Sequence, residues 1–291
     1  MRYGVGMVLV VTAGVVWSTQ GLIFRQIEEA GTWATLFWRS AGMIPVLLAF
    51  LIWRAGGSPL AAIRAVGLAG VLGGFGLVGA FAGAIYSIQS TTIANAVFLF
   101  AAAPFLTALI GWAALGERVR AETWAAMGVA LVGIFVMVRG DLSGGAMAGN
   151  IAALVSALGF AVFTVTLRWG KVADSLPSVL LGGLFSLVAG ALIASQMGQT
   201  LAVPAPDALW AMAMGAVTLS GGMVLYELGS RVVPAAETAL LSNIEVMLAP
   251  LWVWLFLGET ASSATFLGGA ILLVAVTLNG ISGARRATAA L

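Results

Sequence analysis

Residues 94–117 read ANAVFLFAAAPFLTALIGWAALGE, and residues 236–259 read AETALLSNIEVMLAPLWVWLFLGE. Both stretches start Ala-polar, continue as an apolar run holding one proline, and close on Leu-Gly-Glu (Leu115-Gly116-Glu117 and Leu257-Gly258-Glu259), at a constant offset of 142. As a helix rising ~1.5 Å per residue, either one crosses the ~30 Å hydrocarbon core of a bilayer. The rest of the chain agrees with that reading. Of its 291 residues, 61% are hydrophobic and only 8% charged, and the mean hydropathy is +1.08. A soluble domain of this size needs a far more polar surface, and a disordered chain needs low hydrophobicity, so the bilayer is the expected solvent.

Ten apolar stretches can be placed: Gly4–Phe24, Thr32–Trp53, Ala65–Ser87, Ile93–Leu115, Ala121–Val138, Ala148–Leu167, Pro177–Ser195, Asp207–Gly229, Ala236–Leu257 and Ala264–Ser282. They are too long and too unalternated for barrel strands of ~10 residues, so helices are expected. The connections are short, which leaves no room for an attached soluble domain. The first stretch is long and runs straight into the bundle, unlike a cleaved leader. Positive charge orients the bundle. With the N-terminus cytoplasmic, the inner loops and tails hold ten Lys and Arg, from Arg2 to Arg286, and the outer loops only Arg25 and Arg139; Arg39 lies within a span. Both termini are therefore expected in the cytoplasm of a cell bounded by this membrane.

The recurrence extends beyond the opening pair. At an offset of 143, Trp17 falls on Phe160 and Arg25 on Arg168, while Tyr86 and Tyr226 close spans 3 and 8. Five spans per half is an odd number, so the second half should enter the membrane upside down. The expected architecture is all-α: ten transmembrane helices in two inverted five-helix repeats around a central cavity. Residues 1–140 form the first repeat, 141–147 an external linker and 148–291 the second repeat. Inverted repeats are a design of secondary transporters, because two similar halves of opposite orientation can exchange conformations.

A ten-span bundle with Leu-Gly-Glu ending spans 4 and 9 resembles the drug/metabolite transporter superfamily, EamA type, over nearly the whole chain. Trp17, Phe37-Trp38-Arg39, Pro104 twelve residues before Gly116, and Glu245 carry the resemblance. One departure is Glu245-Val246, where the family usually has Glu-Pro; the proline of span 9 is shifted to Pro250. Within the superfamily the chain is similar to bacterial YddG-like amino-acid exporters of the inner membrane. That resemblance implies export of aromatic and other neutral amino acids, with cationic or lipophilic drugs as the alternative cargo.

Candidate pathway residues are the polar and aromatic groups inside the spans. Glu245 is the sharpest. Nine residues from the start of span 9, it lies about 13 Å deep, where an ionised carboxylate costs several kcal/mol unless paired or wet. It could hold a coupling proton or a substrate ammonium, or be a hydrogen-bonded structural carboxyl. Arg39 lies about 10 Å into span 2 and could bind a carboxylate, snorkel or pair internally. Trp17, Gln20, Tyr86 and Asn95 offer aromatic faces with amide and hydroxyl groups, as do Phe98, Phe163, Tyr226 and Asn243. Such a lining suits an amphiphilic organic solute. Gly74, Gly79 and Gly83 in span 3, and Gly221 and Gly222 in span 8, allow close helix approach or bending. Pro104 and Pro250, with Pro45, remove backbone donors and should kink their helices.

Other classes fail on chemistry. Gly280-Ile281-Ser282-Gly283 looks like an intramembrane serine protease motif, but no His is present to take the serine proton. Asp141, Asp174 and Asp207 fall in loops or at a span end, so no carboxyl dyad is expected. A phosphate-binding Gly-rich Lys motif is lacking, and so are rows of charge for a channel. With no His or Cys, zinc sites of the usual ligands and disulfides are excluded. The net charge of +2 suits no nucleic-acid partner. The expectation is a non-enzymatic transporter without cofactors, working as a monomer. Its partners would be lipid, a small solute and, where flux is coupled, a proton.

Overall fold

In a computed structural model, residues 2–55, 59–140, 144–233 and 235–289 are described; positions 141–143 of the expected linker lie outside them, and of Arg285 and Arg286 only the backbone is described. Among the described residues there is no strand. Nine helical stretches of the described residues are long and apolar enough to cross a membrane. These are Tyr3–Phe24 (span 1), Thr32–Arg54 (span 2), Gly67–Ser90 (span 3), Ile93–Leu115 (span 4), Ala121–Arg139 (span 5), Ala146–Trp169 (span 6), Leu176–Gln196 (span 7), Ala205–Ser230 (span 8) and Ser263–Ser282 (span 10). Span 9 is split into the helices Ala235–Ser242 and Ile244–Leu257. The chain is thus a ten-helix membrane protein, with span edges within a few residues of those expected. A short helix, Pro59–Ala65, without a buried residue, joins spans 2 and 3.

Glycine decides where helices touch. A Cβ on Gly76 of span 3 would lie 2.8 Å from the Gly159 carbonyl of span 6, and one on Gly83 2.7 Å from the Ala152 carbonyl. Spans 3 and 6 therefore meet backbone to backbone, where dispersion replaces the hydrophobic drive that lipid removes. Ser156 of span 6 adds a hydrogen bond to the Ala80 carbonyl at 2.7 Å. Gly74 instead faces span 7, against Phe185 and the Gly182 backbone. Spans 5 and 10 close in the same way, Gly133 lying on the Gly268 carbonyl.

The spacing of four from Gly79 to Gly83 does not place both on one contact. A Cβ on Gly79 would meet nothing within 4 Å, because that residue shares a stripe with the exposed Leu68, Leu72, Phe75 and Tyr86. In span 8 the chain loosens into a π-helix, Met214–Gly221. Such a turn adds a residue to the helical circuit and is common at functional sites. Span 2 approaches span 8 closely through glycine, since side chains on Gly42 and Gly215 would collide with the Met212 and Arg39 backbones. Gly222 lies against the Trp17 indole, whereas Gly221 has only the Ala216 carbonyl nearby, at 3.8 Å.

Three spans are interrupted: span 1 at Thr19, span 4 at Ala101-Ala102 and span 9 at Asn243. The last two interruptions fall 142 residues apart, the offset of the sequence recurrence. Both helices also end alike, on a left-handed glycine, Gly116 at φ 67° and Gly258 at φ 65°. Only glycine takes that conformation without steric cost. The reversal turns the Glu117 N–H back to the Gly111 carbonyl and the Glu259 N–H back to that of Val253, again 142 residues on. Pro104 sits in the first turn after the span 4 interruption. Pro250 lies inside Ile244–Leu257, so the break in span 9 is at Asn243 and not at its proline.

Candidate transport pathway

The interruption of span 9 packs on span 1. Gly14 faces Ile244 and the Leu241 and Ser242 carbonyls, and only its missing side chain lets them approach. One turn further on, Ser18 accepts a hydrogen bond from the Trp252 indole at 2.9 Å. Trp17 turns to span 8, where its ring centroid is 5.5 Å from that of Tyr226. Its indole N–H is buried and has no hydrogen-bonding partner among the described residues. Asn243 occupies the break itself and Glu245 the first turn after it, both only partly buried although they lie within a span. Gln20 opens the second segment of span 1, also partly buried. Span 1 thus touches both neighbours: Trp17 packs on Tyr226 of span 8, and Gly14 on residues 241–244 of span 9, the stretch that holds Asn243. Half-helix ends at such a break expose backbone dipoles to a solute.

Arg39 belongs to span 2, whose backbone meets span 8 at Gly215. It is 3% exposed, and its guanidinium sits 4.6 Å above the ring centroid of Phe81. No ion pair joins it to an acid among the described residues. A desolvated guanidinium over an aromatic face is stabilised by cation–π attraction, yet it keeps several donors for an anionic group.

The remaining expected residues are placed differently. Asn95 is buried and bonds Asn150 of span 6, while its backbone N–H donates to the Thr92 cap. Phe98 is clasped by Gly269 of span 10, and Phe163 is buried on Gly73 of span 3. Their surfaces are taken up by helix packing. Tyr86 stands 42% exposed on the outer stripe of span 3. Their residue types are the same as those at the break, so only the helix partners distinguish the two sets.

The two Leu-Gly-Glu glutamates, which sequence reasoning left without a role, are ion-pair partners. Glu259 binds Arg25 at 2.8 Å, and Glu117 binds Arg168 at 3.1 Å. A third polar centre joins Arg54 to Asp174 and to Glu227, the latter at 3.4 Å. Glu227 also faces Arg231, four residues on, at a loose 3.9 Å. Two open clefts flank the bundle, about 210 Å³ beside Glu117, Arg118, Arg120 and Arg168, and about 470 Å³ beside Arg25, Glu28, Gln89 and Gln199. Among the described residues no group of three acidic side chains could hold a metal ion.

The model of the EamA-like transporter family matches the chain twice, over residues 4–139 and 147–281. Among curated proteins, an uncharacterized transporter of Archaeoglobus fulgidus is 28% identical over 67% of this chain and 69% of its own. The pseudopaline exporter CntI of Pseudomonas aeruginosa is 27% identical over 93% of this chain and 94% of its own. A crystal structure at 18% identity superposes with a TM-score of 0.66, over 98% of this chain and 99% of that one, which supports the fold.

Proposed function

The chain belongs to the EamA-like transporter family, and from that premise we propose that it exports small organic solutes by alternating access, with aromatic and other neutral amino acids as cargo. The observation that carries this reading is the matched interruption of spans 4 and 9, with Glu245 in the first turn past the second break. Interrupted helices at corresponding positions of two halves mark the substrate site of inverted-repeat transporters. Trp17 and Tyr226 supply the aromatic faces, Asn243 and Gln20 the amides. Arg39 holds a carboxylate, and Glu245 holds the ammonium or a coupling proton. Asn95, Phe98, Phe163 and Tyr86 join the lining where helices part during the cycle. The two halves are read as inverted repeats, residues 1–140 and 148–291, with both termini cytoplasmic in a bacterial inner membrane. One chain supplies both halves, so a monomer suffices. The exporter among its relatives supports the direction of flux.

Proteoliposomes loaded with labelled phenylalanine, threonine or a viologen test the proposal. Efflux of the amino acids is expected, with Arg39→Gln raising their KM at least about tenfold, the equivalent of 1.4 kcal/mol of lost binding. The pH dependence of efflux should vanish in Glu245→Gln; if it persists unchanged, the proton role is lost. The aromatic faces of the Trp17–Tyr226 pair also suit a lipophilic cation. Flux of the viologen alone, abolished by Glu245→Gln, would establish that second reading.

A further inference from the structure

The Arg25 and Arg168 centres occupy corresponding places in the two halves, 143 residues apart, and their glutamates stand 142 apart. Their states differ. At the face away from the termini, Arg25 uses all three nitrogens: Nε to Glu259, Nη1 to the Ile88 carbonyl at 3.0 Å and Nη2 to the Thr91 carbonyl at 3.2 Å. The second oxygen of Glu259 accepts from the Ile93 N–H at 2.7 Å. One ion pair thereby ties the ends of spans 1, 3 and 9 to the start of span 4. At the terminal face, among the described residues, Arg168 reaches only Glu117 and, at 3.4 Å, the Thr107 carbonyl, both on the span 4 side. Its pair is more open, with side chains 43% and 37% exposed against 30% and 18% at Arg25 and Glu259.

The counterparts of Ile88 and Ile93 are Leu228 and Ala235, by the offsets that relate Tyr86 to Tyr226 and span 4 to span 9. Among the described residues, neither Arg168 nor Glu117 bonds the backbone of Leu228 or Ala235, and span 6 packs chiefly on spans 3 and 4.

We propose that Arg25–Glu259 and Arg168–Glu117 are the two gates of the transport cycle, and that this structure holds the far gate latched and the terminal-face gate released. When the terminal-face gate closes, Arg168 takes backbone carbonyls near Leu228 and Glu117 takes the Ala235 N–H, while the Arg25 centre releases residues 88–93. Charge-assisted bonds to backbone are strong enough to hold a state, yet exchange freely where the released groups meet water. Two centres of the same chemistry keep the two states close in energy, which turnover requires. Leu-Gly-Glu then has a single physical logic: the left-handed glycine ends the helix and aims the next carboxylate at the other half. This inference rests on the two-repeat transport reading above.

The chain contains no cysteine, so one introduced thiol reports access without background. Asn243→Cys at the span 9 break can be labelled with a membrane-impermeant maleimide from either side of sealed vesicles, without substrate. Labelling should come mainly from the terminal face. Arg25→Gln and Glu259→Gln should each raise far-face labelling about tenfold, a shift of 1.4 kcal/mol. Arg168→Gln and Glu117→Gln should lower it below the parent level. The swapped pair Arg25→Glu with Glu259→Arg should return labelling toward the parent, which separates gating from misfolding. The proposal is overturned if far-face labelling is unchanged by Arg25→Gln, or rises in Arg168→Gln. Because no cargo enters the measurement, a chain that moves none of the tested amino acids still reports on its gates.

Discussion

Asp207 shows how a single buried acid anchors a loop. It is 4% exposed, and its Oδ2 accepts from the Glu29 and Ala30 N–H groups, both at 2.8 Å. A carboxylate that receives two backbone donors in a dry site replaces the water it has lost. Asp207→Ala leaves both donors unsatisfied and should cost about 2–4 kcal/mol of stability. Asp207→Asn keeps an acceptor and should cost less than half of that. Melting of the two purified variants in detergent checks the order; equal losses would mean that Asp207 acts through packing alone. At this scale the sequence was informative for residue type and weak for role. Glu245 and Arg39 stood out as charges within apolar runs; Arg39 is buried and Glu245 partly so. Asn95, Phe98 and Phe163 have the same kind of side chain as the residues at the break, and in this structure they meet Asn150, Gly269 and Gly73.

Between helices, glycine is selective by face. Gly159 lies on the Gly76 carbonyl and the Ala80 backbone, so Gly159→Leu must push spans 3 and 6 apart. Overpacking of this kind typically costs about 1–3 kcal/mol, and more where backbone must move. Gly79→Leu adds a side chain where nothing stands within 4 Å and should leave the melting temperature within about 2 °C of the parent. Thermal melts of the pair test the assignment; equal losses would refute it. Spacing of small residues announced a close-packed span 3 but could not divide Gly74, Gly79 and Gly83 among span 7, open space and span 6. That division depends on where neighbouring helices stand, which no local pattern encodes. The span 9 break follows the same logic. Its place at Asn243 matches Ala101 of the other half rather than obeying Pro250, so repeat geometry overrode the local proline rule.

For the whole molecule, the charge bias of the loops predicts that both ends face the cytoplasm. Reporter fusions at Met1 and Leu291 should both be active only as cytoplasmic fusions, and a split result would discard the topology. Spans 1 and 9 run side by side with a fixed separation: Tyr3 meets Glu237, Ser18 meets Trp252, and Arg25 meets Glu259, each pair 234 residues apart. Each contact joins the first half to the second. The halves are therefore interleaved, and a pathway between them is shaped by both.

Hydropathy was enough to read ten helices and their approximate ends from the chain alone. Insertion into a bilayer is decided segment by segment, by the apolar content of about twenty neighbouring residues, and that is local information. Which arginine meets which glutamate, which glycine meets which carbonyl, and where span 9 breaks were decided only by the folded bundle. Once inside lipid every helix is equally apolar to its neighbours, so partners are chosen by shape and by a few polar contacts between residues far apart in sequence.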